Sequence, residues 1–166
     1  WDLKAVKLGL PLHKLAGGAQ ADIPLYTTEG GWLHLETEAL VEDALKAKAD
    51  GFSGCKLKVG RPLAEDAARI SAVRDAVGPA FEIFTDANQA FNVDEAVRRA
   101  AVYQRLGIGW LEEPLPADDI EGHAVLSRHT SVPVAVGESL YSASHFREYL
   151  ERRAASIVQV DVGRIG

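Results

Sequence analysis

The sequence predicts a parallel α/β protein that forms part of a TIM-like (β/α) barrel. Short apolar runs rich in β-forming residues alternate with helical patterns along the chain. One run follows the next after roughly 23 to 31 residues, which is the spacing of βα units, and such alternation is typical of a parallel sheet covered by helices. The runs that predict strands are 22–28, 54–60, 81–88, 108–114, 132–139 and 156–162.

Polar residues at the ends of these runs favour a closed barrel over an open doubly wound sheet. In a barrel, functional groups collect at the C-terminal ends of many strands, whereas an open sheet concentrates them at one switch point. We therefore expect six of the eight strands of a barrel in this chain. The polar residues that end five consecutive runs are Lys56 and Lys58, Asp86 and Asn88, Glu112 and Glu113, Glu138, and Asp161.

Helical patterns occupy the segments between the runs. Pro62 stands near the start of one pattern and Gly78 follows its end, as is common at helix boundaries. Residues 1–18, before the first run, predict a single amphipathic helix that ends in a double-glycine turn. The five patterns between the runs are 35–51, 62–78, 92–107, 118–129 and 142–154.

Composition restricts the possible partners. The net charge of -6 comes from 24 acidic and 18 basic residues without a long block of one sign, which argues against a nucleic-acid partner. A single cysteine indicates a reducing compartment, so we expect a cytoplasmic protein. No apolar run approaches the roughly 20 residues of a membrane span, so we expect no membrane partner. The chain has no methionine and ends directly after a predicted strand, so we expect a fragment.

Two lysines in the second run predict positively charged side chains in the interior of the barrel. Side chains alternate along a strand, so Lys56 and Lys58 share one face while Leu57 points the other way. If the apolar face packs on helices, both lysines face the barrel interior. Two ammonium groups held close repel each other, so we expect the pKa of at least one lysine to fall and provide a general base. The alternative is that both lysines extend from a strand end into solvent.

Three carboxylates on successive runs predict a metal site. Asp86, Glu112 and Glu138 stand at equivalent strand ends, and three converging carboxylates repel each other unless a cation neutralises them. Ligation by oxygen atoms alone suits Mg²⁺, with Mn²⁺ also possible. The alternative is that Asp86 and Asn88 stabilise a turn and that Glu112 precedes a helix as an acidic cap.

Two further carboxylates have different expected roles. Glu113 must point away from Glu112, so we expect it to accept structural hydrogen bonds. Asp161, at the end of the sixth run, could orient a histidine as a carboxylate orients the imidazole of a catalytic triad. None of the five histidines stands at a strand end, so the chain does not supply that histidine.

Five motifs together resemble the enolase superfamily, and within it the mandelate racemase branch. They occur in the family's order and approximate spacing across essentially the whole chain. In the muconate cycloisomerase branch we would expect a lysine where Asp161 stands, so that branch is disfavoured. The matching motifs are KLK at 56–58, DAN at 86–88, WLEEP at 110–114, GES at 137–139 and VDVGRIG at 160–166.

The resemblance implies a role for each matching residue. Asp86, Glu112 and Glu138 would ligate Mg²⁺. Lys58 would abstract the proton α to a carboxylate, and Lys56 would contact the substrate carboxylate and the developing negative charge. Within the branch, the sequence most resembles acid-sugar dehydratases such as those acting on galactarate or talarate. The resemblance therefore implies a lyase that forms an enediolate and then eliminates water.

The resemblance also assigns the remaining parts of the chain. Asn88 would bind the substrate, and Asp161 matches the aspartate of a His-Asp dyad whose histidine is absent. Residues 1–18 would lead from a missing capping domain into the catalytic domain, residues 19–166. The absent strands leave sheet edges of this chain open, and open edges favour association. We also expect the complete protein to be a homo-oligomer.

Two alternatives to the dehydratase remain open. The first is a racemase or epimerase of 2-hydroxy acids, which uses both faces of the same site and leaves the formula of the substrate unchanged. The second is an inactive fragment that acts only as a binding or structural module.

Overall fold

The computed structural model describes residues 1–18 and 20–165, and within these residues six parallel strands pair in chain order. The sheet curls into a half-barrel whose edges are the first and sixth strands. Each strand lies inside one of the predicted runs, so the prediction of a partial barrel is confirmed. The strands are β1 (Tyr26–Thr27), β2 (Gly54–Lys58), β3 (Glu82–Asp86), β4 (Leu111–Glu112), β5 (Val134–Val136) and β6 (Ile157–Val158).

A helix follows each strand, as predicted for the first five. In the described part of the chain, no helix is both long and apolar enough to cross a membrane. The helices are α1 (Asp2–Leu8), α2 (Leu12–Leu15), α3 (Thr37–Ala49), α4 (Leu63–Val77), α5 (Val93–Arg105), α6 (Ile120–His129), α7 (Ala143–Glu151) and α8 (Val162–Ile165).

The prediction of one amphipathic helix over residues 1–18 is wrong. Helix α1 ends at Gly9, which has a left-handed backbone (φ 64°), and Pro11 precedes α2. Proline disfavours helical backbone in the residue before it, so the helix cannot continue through Leu10. The apolar side chains of Leu3 and Val6 are 81% and 72% exposed. The predicted boundary residue Ala19 lies outside the described residues, as does Gly166 at the end of the last motif.

Local side-chain caps explain where several helices begin. Asn92 accepts a hydrogen bond from the Glu95 amide at 2.9 Å and starts α5. Asp119 accepts one from the Gly122 amide at 2.8 Å at the start of α6. These caps satisfy amide groups that have no partner inside the helix, which typically contributes about 1 kcal/mol each.

The two faces of the curled sheet pack differently. On the outer face, Cys55 and Leu57 of β2 are buried in an apolar core that includes Ile83 and Leu111 and is covered by the helices. On the inner face, the rings of Phe84 and Trp110 stack with their centroids 3.5 Å apart, and Tyr26 packs edge-on against both. The aromatic layer lies two residues before the carboxylates that end β3 and β4, so it fills the interior behind the charged strand ends.

Candidate active site

Three charged residues lie side by side across the C-terminal ends of β2, β3 and β4. Lys58 is the register partner of Asp86, and Asp86 is the register partner of Glu112. Register partners in a parallel sheet point to the same face, and here that face is the barrel interior because the opposite face forms the apolar core. The sheet therefore brings together the charges that the sequence placed at these strand ends.

Both lysines contact carboxylates in the interior. The Lys56 ammonium lies 2.7 Å from Glu112 Oε1 and 3.0 Å from Asp86 Oδ2. The Lys58 ammonium lies 2.6 Å from Asp86 Oδ2 and donates to Asn88 Oδ1 at 2.7 Å. The prediction that the lysines share the inner face is confirmed, and the alternative in which both extend into solvent is wrong because the Lys56 side chain is only 9% exposed.

The carboxylates reverse the expected effect on Lys56. Burial lowers the pKa of Lys56, but the hydrogen bond that Lys56 donates to Glu112 and the negative charges of Asp86 and Glu112 outweigh burial and raise that pKa above its ordinary value. The fall in pKa predicted for at least one of the lysines thus does not occur at Lys56, since attraction to two buried carboxylates outweighs repulsion between the lysines. Burial raises the pKa of Asp86, but Lys58 and Lys56 hold it below its ordinary value.

Glu112 accepts hydrogen bonds from three side chains. Besides Lys56, it accepts hydrogen bonds from Trp110 Nε1 at 3.2 Å and from Gln159 Nε2 at 3.0 Å. Sequence reasoning missed both Trp110 and Gln159. Trp110 stands two residues before Glu112 and so shares its face, and Gln159 is a polar residue inside the sixth apolar run. These two signals could have identified them.

Glu138 lies two residues beyond the end of β5, at the edge of the same group. It lines a cavity of about 260 Å³ together with Lys56, Glu112 and Asp161. Gly137 lets the chain approach β6 closely there, because a Cβ atom at this position would lie 2.0 Å from the Gln159 carbonyl oxygen. A side chain at residue 137 would therefore push Glu138 away from the other strand ends.

The three predicted metal ligands do not form a closed cluster. Among residues 1–18 and 20–165, no three His, Cys, Asp or Glu side chains are grouped so that they could hold a metal ion. The Lys56 ammonium instead lies between Asp86 and Glu112. The donor set still suits Mg²⁺ in its chemistry, since all three groups are carboxylates and two of them already converge on a positive charge. Ligation by Asp86, Glu112 and Glu138 stays a prediction.

Asp161 differs from its predicted position. Strand β6 ends at Val158, and Asp161 directly precedes the short helix α8, where its Oδ1 accepts a hydrogen bond from the Gly163 amide at 2.8 Å. Its Oδ2 lies 3.5 Å from Arg164 Nε. The prediction that Asp161 ends a strand is wrong, because Asp161 lies three residues beyond β6 and the last backbone bond to β5 is the one that the Gln159 amide donates to the Val136 carbonyl oxygen at 2.9 Å. It nevertheless lines the cavity that contains Lys56 and Glu112.

Asn88 and Glu113 occupy tight turns directly after their strands. Asn88 has a positive φ of 44°, and its amide donates to Asp86 Oδ1 at 3.0 Å. The turn interpretation of this segment is therefore correct in part, although the Asn88 side chain also contacts Lys58. Glu113 has a φ of 38° and accepts a hydrogen bond from Gln89 Nε2 at 3.3 Å, which is the structural role predicted for it.

A larger cavity opens beside Lys58. It has a volume of about 700 Å³, and Asn88 and the segments 32–34 and 58–61 line it. The side chain of Lys58 is 22% exposed, compared with 9% for Lys56. Lys58 is thus the lysine that a molecule in this cavity can reach.

The strand-end charges and the half-barrel agree with one family of proteins. Residues 39–166 match the family model described as enolase C-terminal domain-like. The chain belongs to the enolase superfamily, and these residues form part of its C-terminal barrel domain. The resemblance inferred from the five motifs is confirmed.

Within the superfamily, the chain is similar to acid-sugar dehydratases and to a cycloisomerase. It is 40% identical to the L-talarate/galactarate dehydratase of Salmonella typhimurium over 167 residues, which cover 100% of this chain and 42% of that protein. It is 37% identical to the 3,6-anhydro-alpha-L-galactonate cycloisomerase of Streptomyces coelicolor, covering 100% of this chain and 46% of the relative.

A solved structure agrees with these similarities. The L-talarate dehydratase from Polaromonas sp. JS666, complexed with Mg and L-glucarate, matches with a TM-score of 0.95 and 40% identity. The match covers 100% of this chain and 47% of that one. The chain thus spans less than half the length of each of these three relatives.

Proposed function

We propose that the full-length protein is a Mg²⁺-dependent acid-sugar dehydratase that removes the proton α to a carboxylate and then eliminates water. The observation that carries the proposal is the row formed by Lys58, Asp86 and Glu112, which places a lysine and two carboxylates on one inner face of the half-barrel. The similarity to the dehydratases supports the choice of substrate class. The substrate would be a small polyhydroxy carboxylate.

Each lysine has a distinct role in this proposal. Lys58, which faces the larger cavity, would take the α-proton on its Nζ atom while the electron pair of the broken C–H bond moves toward the substrate carboxylate. Lys56, which stays charged beside its carboxylates, would stabilise the negative charge that develops. Asn88 lines the same cavity as Lys58 and would hydrogen-bond the substrate.

The metal would be held by Asp86, Glu112 and Glu138. Bound Mg²⁺ would supply Lewis-acid stabilisation of the negative charge that develops on the substrate carboxylate when a lysine removes the carbon-bound proton. Elimination then breaks the bond between the β-carbon and its hydroxyl group, which leaves as water after receiving a proton. Asp161 lines the smaller cavity and would orient the group that gives this proton.

Substitution of Lys58 tests the proposal. In the full-length protein, Lys58→Ala should slow exchange of the α-proton in deuterium oxide by about 10² to 10⁴-fold, because that is the usual contribution of a general base. The affinity for Mg²⁺, measured by calorimetry, should change little. Lys46→Ala on the exposed side of α3 is the control and should leave exchange unchanged. Unchanged exchange in Lys58→Ala would exclude Lys58 as the base.

Analysis of the product separates the dehydratase from the racemase or epimerase. Loss of water yields a 2-keto-3-deoxy acid, whereas racemisation or epimerisation gives a product of unchanged formula. A screen of hexarates with mass detection should therefore find a product lighter by one water molecule. A stereoisomer of the substrate as the only product would replace the dehydratase by the racemase or epimerase.

A further inference from the structure

A second group of buried charges lies outside the candidate active site, in the helix layer. Asp66 and Arg69 of α4 and Arg99 of α5 are each at most 4% exposed. Arg99 Nη1 donates to Asp66 Oδ2 at 2.7 Å, and Arg69 Nη1 lies 3.4 Å from Asp66 Oδ1. We call these three residues the α4–α5 clamp. The proposed reaction does not use them.

The clamp binds the backbone that follows the second strand. Arg69 Nη1 donates to the Lys58 carbonyl oxygen at 3.3 Å. Asp66 Oδ2 accepts from the Gly60 amide at 2.8 Å, and Arg99 Nη2 donates to the carbonyl oxygen of Arg61 at 2.7 Å. Three backbone groups within four residues, beginning with Lys58 itself, are thus fixed by buried charged side chains.

The clamp also binds the loop that follows the first strand. Arg69 Nη2 donates to the carbonyl oxygens of Trp32 at 3.2 Å and Leu35 at 3.4 Å. This loop passes close to β2, since the Lys58 amide donates to the Gly31 carbonyl oxygen at 2.7 Å. Both backbone polar groups of Lys58 are therefore held, and Arg69 connects the two loops that line the larger cavity.

An arginine suits this position for a geometric reason. A guanidinium group has several donors in a rigid plane and can bridge carbonyl oxygens from two loops at once, whereas a lysine carries a single nitrogen. Burying charge in this way is not needed for stability alone, because well-packed apolar residues often stabilise a buried site equally well. The bonds to the two loops are what apolar residues could not supply.

We propose that the α4–α5 clamp positions Lys58 for proton transfer and that Arg69 is its central positioning residue. The inference rests on the proposed function of Lys58 as the base. Proton transfer requires reacting atoms about 3 to 3.5 Å apart, and a displacement of about 1 Å can cost about 100-fold in rate. The clamp fixes the main chain from which the Lys58 side chain extends.

The same helix provides a matched control. Arg74 also donates to several backbone carbonyl oxygens, but at the opposite end of the strands. Its acceptors are Gly78 at 2.9 Å, Phe81 at 2.5 Å, Leu106 at 3.3 Å and Gly107 at 2.9 Å. Arg69 and Arg74 are therefore similar in what they bind and differ in where they bind it.

The test compares Arg69→Lys with Arg74→Lys in the full-length protein. Arg69→Lys should lower kcat by about 30 to 100-fold with little change in KM, because the base is displaced while substrate contacts remain. The kinetic isotope effect from deuterium at the α-carbon should rise, since proton transfer becomes slower relative to other steps. A loss of folded protein alone would not change the isotope effect. Arg74→Lys should leave kcat, KM and the isotope effect unchanged.

Amide hydrogen exchange provides a readout that does not depend on activity. In Arg69→Lys, the amides of Lys58 and Gly60 should exchange faster by about tenfold, while Arg74→Lys should affect residues 106–109 instead. If Arg69→Lys does not fold, Asp66→Asn weakens the same clamp, and the same readouts apply. Equal kinetic effects of the Arg69 and Arg74 variants, or unchanged exchange at Lys58 and Gly60, would overturn the inference.

Failure of the proposed function has a different signature. If the unsubstituted protein does not exchange the α-proton of any acid sugar, Lys58 has no base role and its positioning for proton transfer is overturned with it. In that case faster amide exchange in Arg69→Lys would still establish the clamp as a structural brace. Normal activity of the unsubstituted protein together with normal isotope effects in Arg69→Lys would overturn the positioning role alone.

Discussion

The two ends of the sheet hold their charged groups in different ways. At the C-terminal ends of the strands, Lys56 and Lys58 bind the carboxylates of Asp86 and Glu112, so side chains satisfy side chains. At the opposite end, Arg74 donates only to backbone carbonyl oxygens. Both arrangements satisfy the charged groups. Only at the C-terminal ends can a side chain release one partner and bind another without a movement of the main chain.

This difference indicates where chemistry and where stability reside. A carboxylate that binds a lysine can bind a metal ion instead, and a lysine that binds a carboxylate can bind a substrate instead. A carbonyl oxygen bound by Arg74 has no such alternative, because releasing it leaves a loop unsupported. In barrels of this kind, function collects at the C-terminal ends and the opposite end contributes to stability. The arginines of the α4–α5 clamp also bind backbone carbonyl oxygens, as Arg74 does, but they bind them at the functional end and pair with Asp66 as well.

The largest effect on stability is expected at the strand-end charges. Glu112→Ala leaves Lys56, Trp110 and Gln159 without their shared acceptor, and breaking a buried ion pair in this way costs about 3 to 5 kcal/mol. The free energy of unfolding should be measured by urea denaturation without Mg²⁺. Glu138→Ala removes the same charge from a less buried position and is the control. Equal stability losses in the two variants would contradict the central position of Glu112.

A substitution at the opposite end of the sheet should lower the free energy of unfolding without changing the affinity for Mg²⁺. Arg74→Ala removes the donor shared by four carbonyl oxygens and should lower the free energy of unfolding by about 2 kcal/mol. Its Mg²⁺ affinity, measured by calorimetry in the full-length protein, should equal that of the unsubstituted protein. A weaker affinity would mean that the two ends of the sheet are coupled.

Substitution of Glu138 should do the reverse of Arg74→Ala, weakening the binding of Mg²⁺ while leaving the free energy of unfolding nearly unchanged. Glu138→Gln should weaken Mg²⁺ binding by about tenfold or more, since an amide is a poorer ligand than a carboxylate. The free energy of unfolding without metal should change by less than about 0.5 kcal/mol, because the residue is half-buried at the edge of the group. Calorimetry that finds no change in affinity would remove Glu138 from the ligand set.

The smallest effect is expected on the pH dependence of the free energy of unfolding. The helix layer and the strand ends should contribute to it in different pH ranges. Burial lowers the pKa of His123 in α6 below its ordinary value of 6.5. The unfolded chain therefore takes up a proton before the folded one, and stability is lost as pH falls below about 6.5, by less than about 1.4 kcal/mol per pH unit. His123→Gln should flatten this part of the stability curve measured by urea denaturation.

Among the strand-end groups, Asp86 should respond in a lower pH range than His123. The lysines hold the pKa of Asp86 below its ordinary value of 3.8, so its contribution is fully present above that value. It is lost only as pH falls from there through the lowered pKa of the folded protein. A stability loss near pH 6 that persists in His123→Gln would contradict the assignment of that range to His123.

Much of the fold followed from local patterns in the sequence. The alternation of strand and helix predicted the parallel half-barrel, and the two-residue period of β2 placed Lys56 and Lys58 on the inner face. The break between α1 and α2 was missed, although Gly9 and Pro11 mark it, because the apolar spacing was given more weight than the helix-breaking residues.

The sequence could not predict which groups surround each charge. Lys56 contacts Glu112 across 56 residues of sequence, and Gln159 contacts the same carboxylate across 47. Repulsion between the lysines was visible in the sequence, but the stronger attraction to the carboxylates depends on distances that exist only after β2, β3 and β4 pair. For the same reason, the fall in pKa that was predicted for at least one of the lysines does not occur at Lys56.

The sequence by itself determined the family, the order of the strands, the face on which each strand-end charge lies and the acidic character of the candidate metal ligands. Those properties depend on residue type and on periods of a few residues along the chain. Only the tertiary structure decided that Lys56 lies between two carboxylates, that Asp161 directly precedes a helix and that Arg69 binds the carbonyl oxygen of Lys58. Those contacts join distant segments or depend on where a strand ends, and they form when the sheet and its helices pack together.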